Sequence, residues 1–163
     1  HLLYNPSTNA WLMGVRINKD LMASKKRIDI VNTINKMADD FGKLSEWVSQ
    51  NSQYLAGQGF SIYHTWDVVK NRVAYTAAFP VKEVPKDLPT GFISGKIPAI
   101  KVNVIVHTGS YKHLGNAWTT QYMMQRGKEY KYRKGIDPFE VYMNMPGQVP
   151  DDQLITEVHF PVV

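Results

Sequence analysis

Two short strings recur in this chain, and their recurrence constrains the fold more than any other feature. FSIY at Phe60–Tyr63 returns as FEVY at Phe139–Tyr142, and FPV at Phe79–Val81 returns as FPV at Phe160–Val162, at nearly one offset. Each string holds the equivalent place in a segment that reads as a β-hairpin, so duplication accounts for them better than chance. The first hairpin is Phe60–Thr65 with Arg72–Val81, turning around Lys70 and Asn71. The second is Phe139–Met145 with Gln153–Val162, turning around Pro146–Asp151. Alternation and β-branched content mark the strands, and Gly, Pro and Asn mark the turns.

What precedes each hairpin also repeats. Ala10–Asn18 is apolar and partly alternating, as a strand would be. From about Ser24, a candidate N-cap, Ile28, Val31, Ile34, Met37, Phe41, Leu44 and Val48 recur at spacings of three and four, which places them on one helical stripe. The Asp39–Gly42 stretch is where that helix would bend, and Asn51–Gly59 ends it. Lys82–Pro98, rich in Pro and Gly, reads as a connector with a short extended piece at Phe92–Ser94. Lys101–Thr108 is then a strand, Gly109–Lys112 a turn, and His113–Arg126 a helix with Leu114, Trp118, Tyr122 and Met123 or Met124 on one side. The expected fold class is α+β: a tandem βαββ repeat with pseudo-two-fold symmetry, antiparallel sheets each backed by a helix, and a central ligand cleft. One domain spans 1–163, with units at about 10–81 and 99–163 and the connector 82–98 between them.

Composition narrows the function classes. At 163 residues, 44% hydrophobic and 20% charged, the chain supports one buried core. Cysteine is absent, which removes disulfides, thiol nucleophiles and Cys-based zinc sites. No apolar run approaches the roughly 18–20 residues that span a bilayer, and no leader pattern opens the chain, so a cytoplasmic protein with no membrane role is expected. The first residue is His1 rather than Met, which leaves room for a preceding signal or domain. The net charge of +5 gathers most clearly at Lys128, Lys131, Arg133 and Lys134 beside Tyr130 and Tyr132. This cluster reads as a solvated helix end and loop rather than a nucleic-acid face, so no direct nucleic-acid contact is expected. His64, His107, His113 and His159 show no metal-ligand spacing, and no phosphate loop, dinucleotide fingerprint or nucleophile elbow appears. No metal or cofactor is expected.

Candidate chemistry sits in the repeated hairpins. Side chains alternate across a strand, so Glu140 and Tyr142 share one face while Phe139 and Val141 share the other. The apolar character of Phe139 and Val141 assigns theirs to the helix-packed core. Ser61 and Tyr63 match Glu140 and Tyr142 in the first hairpin, opposite Phe60 and Ile62. If the halves pair symmetrically, one carboxylate, one hydroxyl and two phenols meet in a groove. A carboxylate walled by aromatic rings suits a cation, or a general acid or base if burial raises its pKa. From spacing alone, Glu140 reads equally well as a solvent-facing strand residue. Met13, Met123, Met124, Met143 and Met145 would suit an adaptable cleft, though core filling is the commoner use.

HTGSYKHLGNAW at His107–Trp118, DPFEVYMNMP at Asp137–Pro146 and LITEVHFPVV at Leu154–Val163 follow one another in a pattern that resembles the GyrI-like family. This family includes the effector-binding domains of AraC- and MerR-type multidrug-responsive transcription regulators. The resemblance implies two βαββ units around a cleft for lipophilic, often cationic, small molecules, in a sensing or sequestering role. It places the family's characteristic glutamate on Glu140 and the following tyrosine on Tyr142. By position it adds Tyr63 and Trp118 to the cleft wall, with Trp118 reading at least as well as a core residue. Some relatives resemble hydrolases that open strained cyclopropane rings, and others bind and inhibit DNA gyrase. Hydrolysis through Glu140 and a protein-binding role are therefore the alternatives. The sequence departs from the family in three ways. It carries no helix-turn-helix, so a transcriptional role would need a separate DNA-binding domain or protein partner. It has Ser110 where many relatives carry proline, and its first helix is long.

Overall fold

The structure, a computed structural model, describes residues 2–4, 10–20, 28–67 and 72–163. The candidate N-cap Ser24 and the hairpin turn at Lys70 and Asn71 lie outside the described residues. In chain order the elements are β1 (Leu2–Tyr4), β2 (Ala10–Asp20), α1 (Ile28–Gln50), β3 (Phe60–Asp67) and β4 (Arg72–Val81). Then come β5 (Ile93–Ile97), β6 (Lys101–Thr108), α2 (Gly115–Arg126), β7 (Phe139–Tyr142) and β8 (Ile155–Val162). The fold is α+β with antiparallel strands. Among the described residues, no helix is long and apolar enough to cross a membrane.

The chain divides into two compact units. The first comprises residues 10–57 and 61–97, with the hydrogen-bonded strand order β3-β4-β2-β5. β2 runs antiparallel to β4 from Trp11↔Val81 to Asp20↔Arg72. The extended piece expected at Phe92–Ser94 is the five-residue strand β5, which pairs with the other edge of β2. α1 runs unbroken through Gly42, whose surroundings are open. Its inner side buries Phe41 and Leu44, and Phe41 meets Phe79 of β4 edge-on at 6.0 Å. Asp40 is buried beside them, accepting from the Lys36 ammonium and, at 2.8 Å, from the Tyr75 hydroxyl. Burial, reinforced by Asp40, pushes the Tyr75 pKa up and keeps the phenol a neutral donor.

The second unit comprises residues 98–163 with β1 and residues 58–60, in the order β1-β6-β8-β7. α2 packs Leu114 and Ala117 onto Val158 and Phe160 of β8, with Ile105, Trp118, Tyr130 and Tyr132 around them. The buried stripe of α2 is Leu114, Ala117 and Gln121, whereas Tyr122 is 48% and Met123 67% exposed. The side-chain amide of Gln121 donates to the carbonyls of Asn103 (2.9 Å) and Val158 (2.8 Å). Its oxygen accepts from Asn103 Nδ2 at 2.7 Å. A fully satisfied amide of this kind is as much at home in a core as a leucine.

β7 ends at Tyr142, earlier than the expected Met145, because Asn144 takes over the ladder. Its side chain accepts from the Ile155 N–H (2.8 Å) and donates to the Gln153 carbonyl (3.0 Å). Gly109 leaves β6 with φ +125, a conformation closed to side-chain-bearing residues, and its N–H reaches the Leu154 carbonyl at 2.8 Å. Ser110 then adopts φ −57 and ψ 141, angles that proline shares, so serine here leaves the backbone path unchanged.

Which face of the strands the helices cover overturns one expectation. The Glu140/Tyr142 face, not the Phe139/Val141 face, packs against α2, because Trp118 of α2 bonds to Glu140. In the first unit the Ser61/Tyr63 face likewise meets the helix, with the Tyr63 hydroxyl reaching Met37 Sδ of α1 at 3.8 Å. The physical reason is that the other face is covered too, with Phe139 and Val141 half-buried on it. Val102, Asn103 and Val104 are consecutive and all inaccessible, so apolarity no longer labels the helix side.

The face away from α2 carries His159, stacked on Phe139 at 4.8 Å and hydrogen-bonded to Glu157 at 2.9 Å. Burial lowers its pKa below the ordinary 6.5, and the Glu157 bond opposes that shift without reversing it. The unfolded chain therefore binds a proton that the folded chain resists. Stability from this group is complete above about pH 6.5 and is lost as pH falls through the folded pKa. Urea midpoints measured at pH 7.5 and 5.0 should show a drop in the wild type that His159→Gln flattens. An equal drop in both proteins would assign the effect elsewhere.

Candidate functional site

Glu140 sits in the middle of β7, opposite Val158 of β8, where strand pairing fixes its direction toward α2. It is 3% exposed. Trp118 Nε1 donates to its Oε1 at 2.5 Å, and the Tyr142 hydroxyl donates to its Oε2 at 2.8 Å. Each carboxylate oxygen thus receives one donor, one from the helix and one from its own strand. Such charge-assisted bonds hold a carboxylate in a single orientation.

Aromatic rings surround this carboxylate. Tyr111, in the 3-10 turn Tyr111–His113 before α2, sets its ring 5.9 Å from that of Tyr142. Trp118 lies 5.3 Å from Phe160 and 6.2 Å from Tyr122. Tyr122 in turn packs edge-on against Phe160 at 5.1 Å. The Tyr111 phenol is pushed up to about 12, first by burial and next by the negative charge of Glu140. It stays protonated at any physiological pH. The arrangement is an oriented carboxylate with aromatic walls, a combination suited to positive charge.

The expected parity of Glu140 and Tyr142 holds, and Trp118 joins them through its indole N–H while also packing on the core. Ser61 and Tyr63 belong to the other unit. Ser61 is buried with no hydrogen-bond partner for its hydroxyl among the described residues, and Tyr63 packs near Met37 and Trp66. One residue beside Glu140 escaped the sequence reading. Tyr111 stands inside HTGSYKHLGNAW, so it was on view in the motif string without a role attached.

A family model described as the GyrI-like small molecule binding domain matches residues 21–163. The chain also resembles the C-terminal domain of EcmrR, with a TM-score of 0.70 and 20% identity, over 100% of this chain and 96% of that one. In the EcmrR–DNA complex the TM-score is 0.74 at 20% identity, over 99% of this chain, which spans only 56% of the EcmrR chain. SAV2435 bound to tetraphenylphosphonium matches with a TM-score of 0.64 and 13% identity, over 100% of this chain and 93% of that one. At these identities the likeness is one of fold. Comparison with curated proteins finds no match.

Proposed function

The chain belongs to the GyrI-like small-molecule-binding family, and on that premise we propose that it binds lipophilic, cationic aromatic molecules with Glu140 as the anchor. The observation that carries this reading is the buried Glu140 carboxylate, oriented by Trp118 and Tyr142 and walled by tyrosine rings. The fold neighbour SAV2435 holds tetraphenylphosphonium, a cation of this class. Of the two donors to Glu140, Trp118 and Tyr142, Trp118 is the one partly open to solvent, so it is the side chain that yields when a ligand reaches the carboxylate. The role is sensing or sequestration, and any transcriptional output would pass through a separate DNA-binding part or partner.

The test is titration with tetraphenylphosphonium. A carboxylate attracts a unit cation centred about 8 Å away by about 2 kcal/mol at an effective dielectric constant of about 20, so Glu140→Gln, which keeps the shape and removes the charge, should weaken tetraphenylphosphonium binding by roughly 10- to 100-fold. Its urea midpoint should stay near that of the wild type. Unchanged affinity in a folded Glu140→Gln protein would remove Glu140 from the role.

A further inference from the structure

Thr156 of β8 lies directly across from Tyr142 and two pairs along from Glu140, on the same face as both. It is 0% exposed, and its hydroxyl has no hydrogen-bond partner among the described residues. Its surroundings are not short of polar groups. The Tyr111 hydroxyl stands near enough for Thr156 to favour its ionised form, yet the pair does not meet the distance and angle of a formed hydrogen bond. A buried strand position gains nothing from an unmatched hydroxyl, because valine has the same shape, favours strands as strongly and carries no polar atom to desolvate. A native side chain left unmatched in this way calls for a partner outside the chain.

Diagonal neighbours on paired strands stand about 7–8 Å apart at the backbone, and the longer Glu140 side chain shortens that gap. One polar group of a bound molecule can therefore touch both the carboxylate and the hydroxyl. A carboxylate only accepts, and a threonine hydroxyl can accept as well as donate, so the group that satisfies both is one with several N–H donors.

We propose that Thr156 is a specificity-determining contact of the Glu140 site, one that selects cations bearing N–H groups over cations whose charge is fully shielded by carbon. The proposal rests on the binding role of Glu140 and extends it to ligand class. Ethidium, with two aryl amino groups, and tetraphenylphosphonium, with no donor at all, are the matched probes. Both should be titrated against wild type, Thr156→Val, Thr156→Ser and Glu140→Gln.

Thr156→Val should raise the ethidium Kd about tenfold while moving the tetraphenylphosphonium Kd less than twofold, and Thr156→Ser should restore ethidium binding. The urea midpoint of Thr156→Val should equal or exceed that of the wild type. An unchanged ethidium Kd, or equal losses for both probes, overturns the proposal. So does a lowered urea midpoint, which would mean that an enclosed water ties the hydroxyl into the fold. If Glu140→Gln weakens both probes but Thr156→Val weakens neither, the binding role stands and only the selectivity falls. If neither probe binds the wild type, both fall together.

Discussion

Phe160→Ala is expected to cost about 3–5 kcal/mol of stability, the range for removing a large aromatic side chain from a packed core. Phe160 is almost wholly inaccessible and is the ring on which α2 and the following loop converge. Trp118, Tyr122 and Tyr132 all meet it edge-on, at 5.3, 5.1 and 6.2 Å. Alanine would leave a void bounded by three rigid rings, which relax poorly into it. With domain stabilities of about 5–15 kcal/mol, the loss should lower Tm by on the order of 10 °C. Urea unfolding measures it directly as a fall in midpoint with an unchanged slope. Phe160→Leu, which refills most of the space, should lose less than half as much. A cost below about 1 kcal/mol for Phe160→Ala would mean that the core closes around the void, contrary to the rigidity argued for it.

Gln121→Leu is expected to cost about 2–4 kcal/mol, through a different mechanism. Leucine fills nearly the same volume, so packing is preserved and the loss is one of hydrogen bonds. Asn103 Nδ2 would lose its 2.7 Å acceptor and keep only a weak contact to Met124 Sδ at 3.8 Å. The carbonyls of Asn103 and Val158 would each lose a donor inside the core. Tyr130 would keep its bond to the Gln121 main-chain carbonyl (2.9 Å) and lose the one to the side chain (3.0 Å). The distinguishing measurement is a double-mutant cycle. Asn103→Leu combined with Gln121→Leu should destabilise by clearly less than the two single losses added, because the second change removes the group orphaned by the first. Strict additivity would show that the pair does not act as one unit.

The same Gln121 explains where sequence reading fell short. Periodicity selected Leu114, Trp118, Tyr122 and Met123 or Met124, whereas the buried line is Leu114, Ala117 and Gln121. A glutamine whose amide is satisfied on both sides costs the core little, but no apolar pattern can register it. Asp40 on α1 is the same case, made acceptable by Lys36 and Tyr75. The strands were easier to read. Lys101–Thr108 is β6 at its expected bounds, and Glu140 and Tyr142 share a face as period two demands. What alternation could not say was which face the helix covers, since Val102, Asn103 and Val104 are buried in succession. β1 is three residues long, too short to carry a period, and β5 was legible only as a shorter extended piece at Phe92–Ser94 among the prolines and glycines around it. The meeting of Trp118 with Glu140 was legible only through the family motif, because a spacing of 22 residues between helix and strand has no local signature.

α2 separates two duties along its length. Near its start, Trp118 faces the carboxylate; about one turn later, Gln121 welds the helix to β6 and β8. The weld does not depend on what residue 118 is. On the binding role proposed for Glu140, descendants of this chain can exchange the indole for another aromatic ring, which keeps the packing on Phe160, while Gln121 holds the helix seated. Under that role, changes of ligand and the seating of the helix fall on side chains one turn apart, joined only through the ring of Phe160.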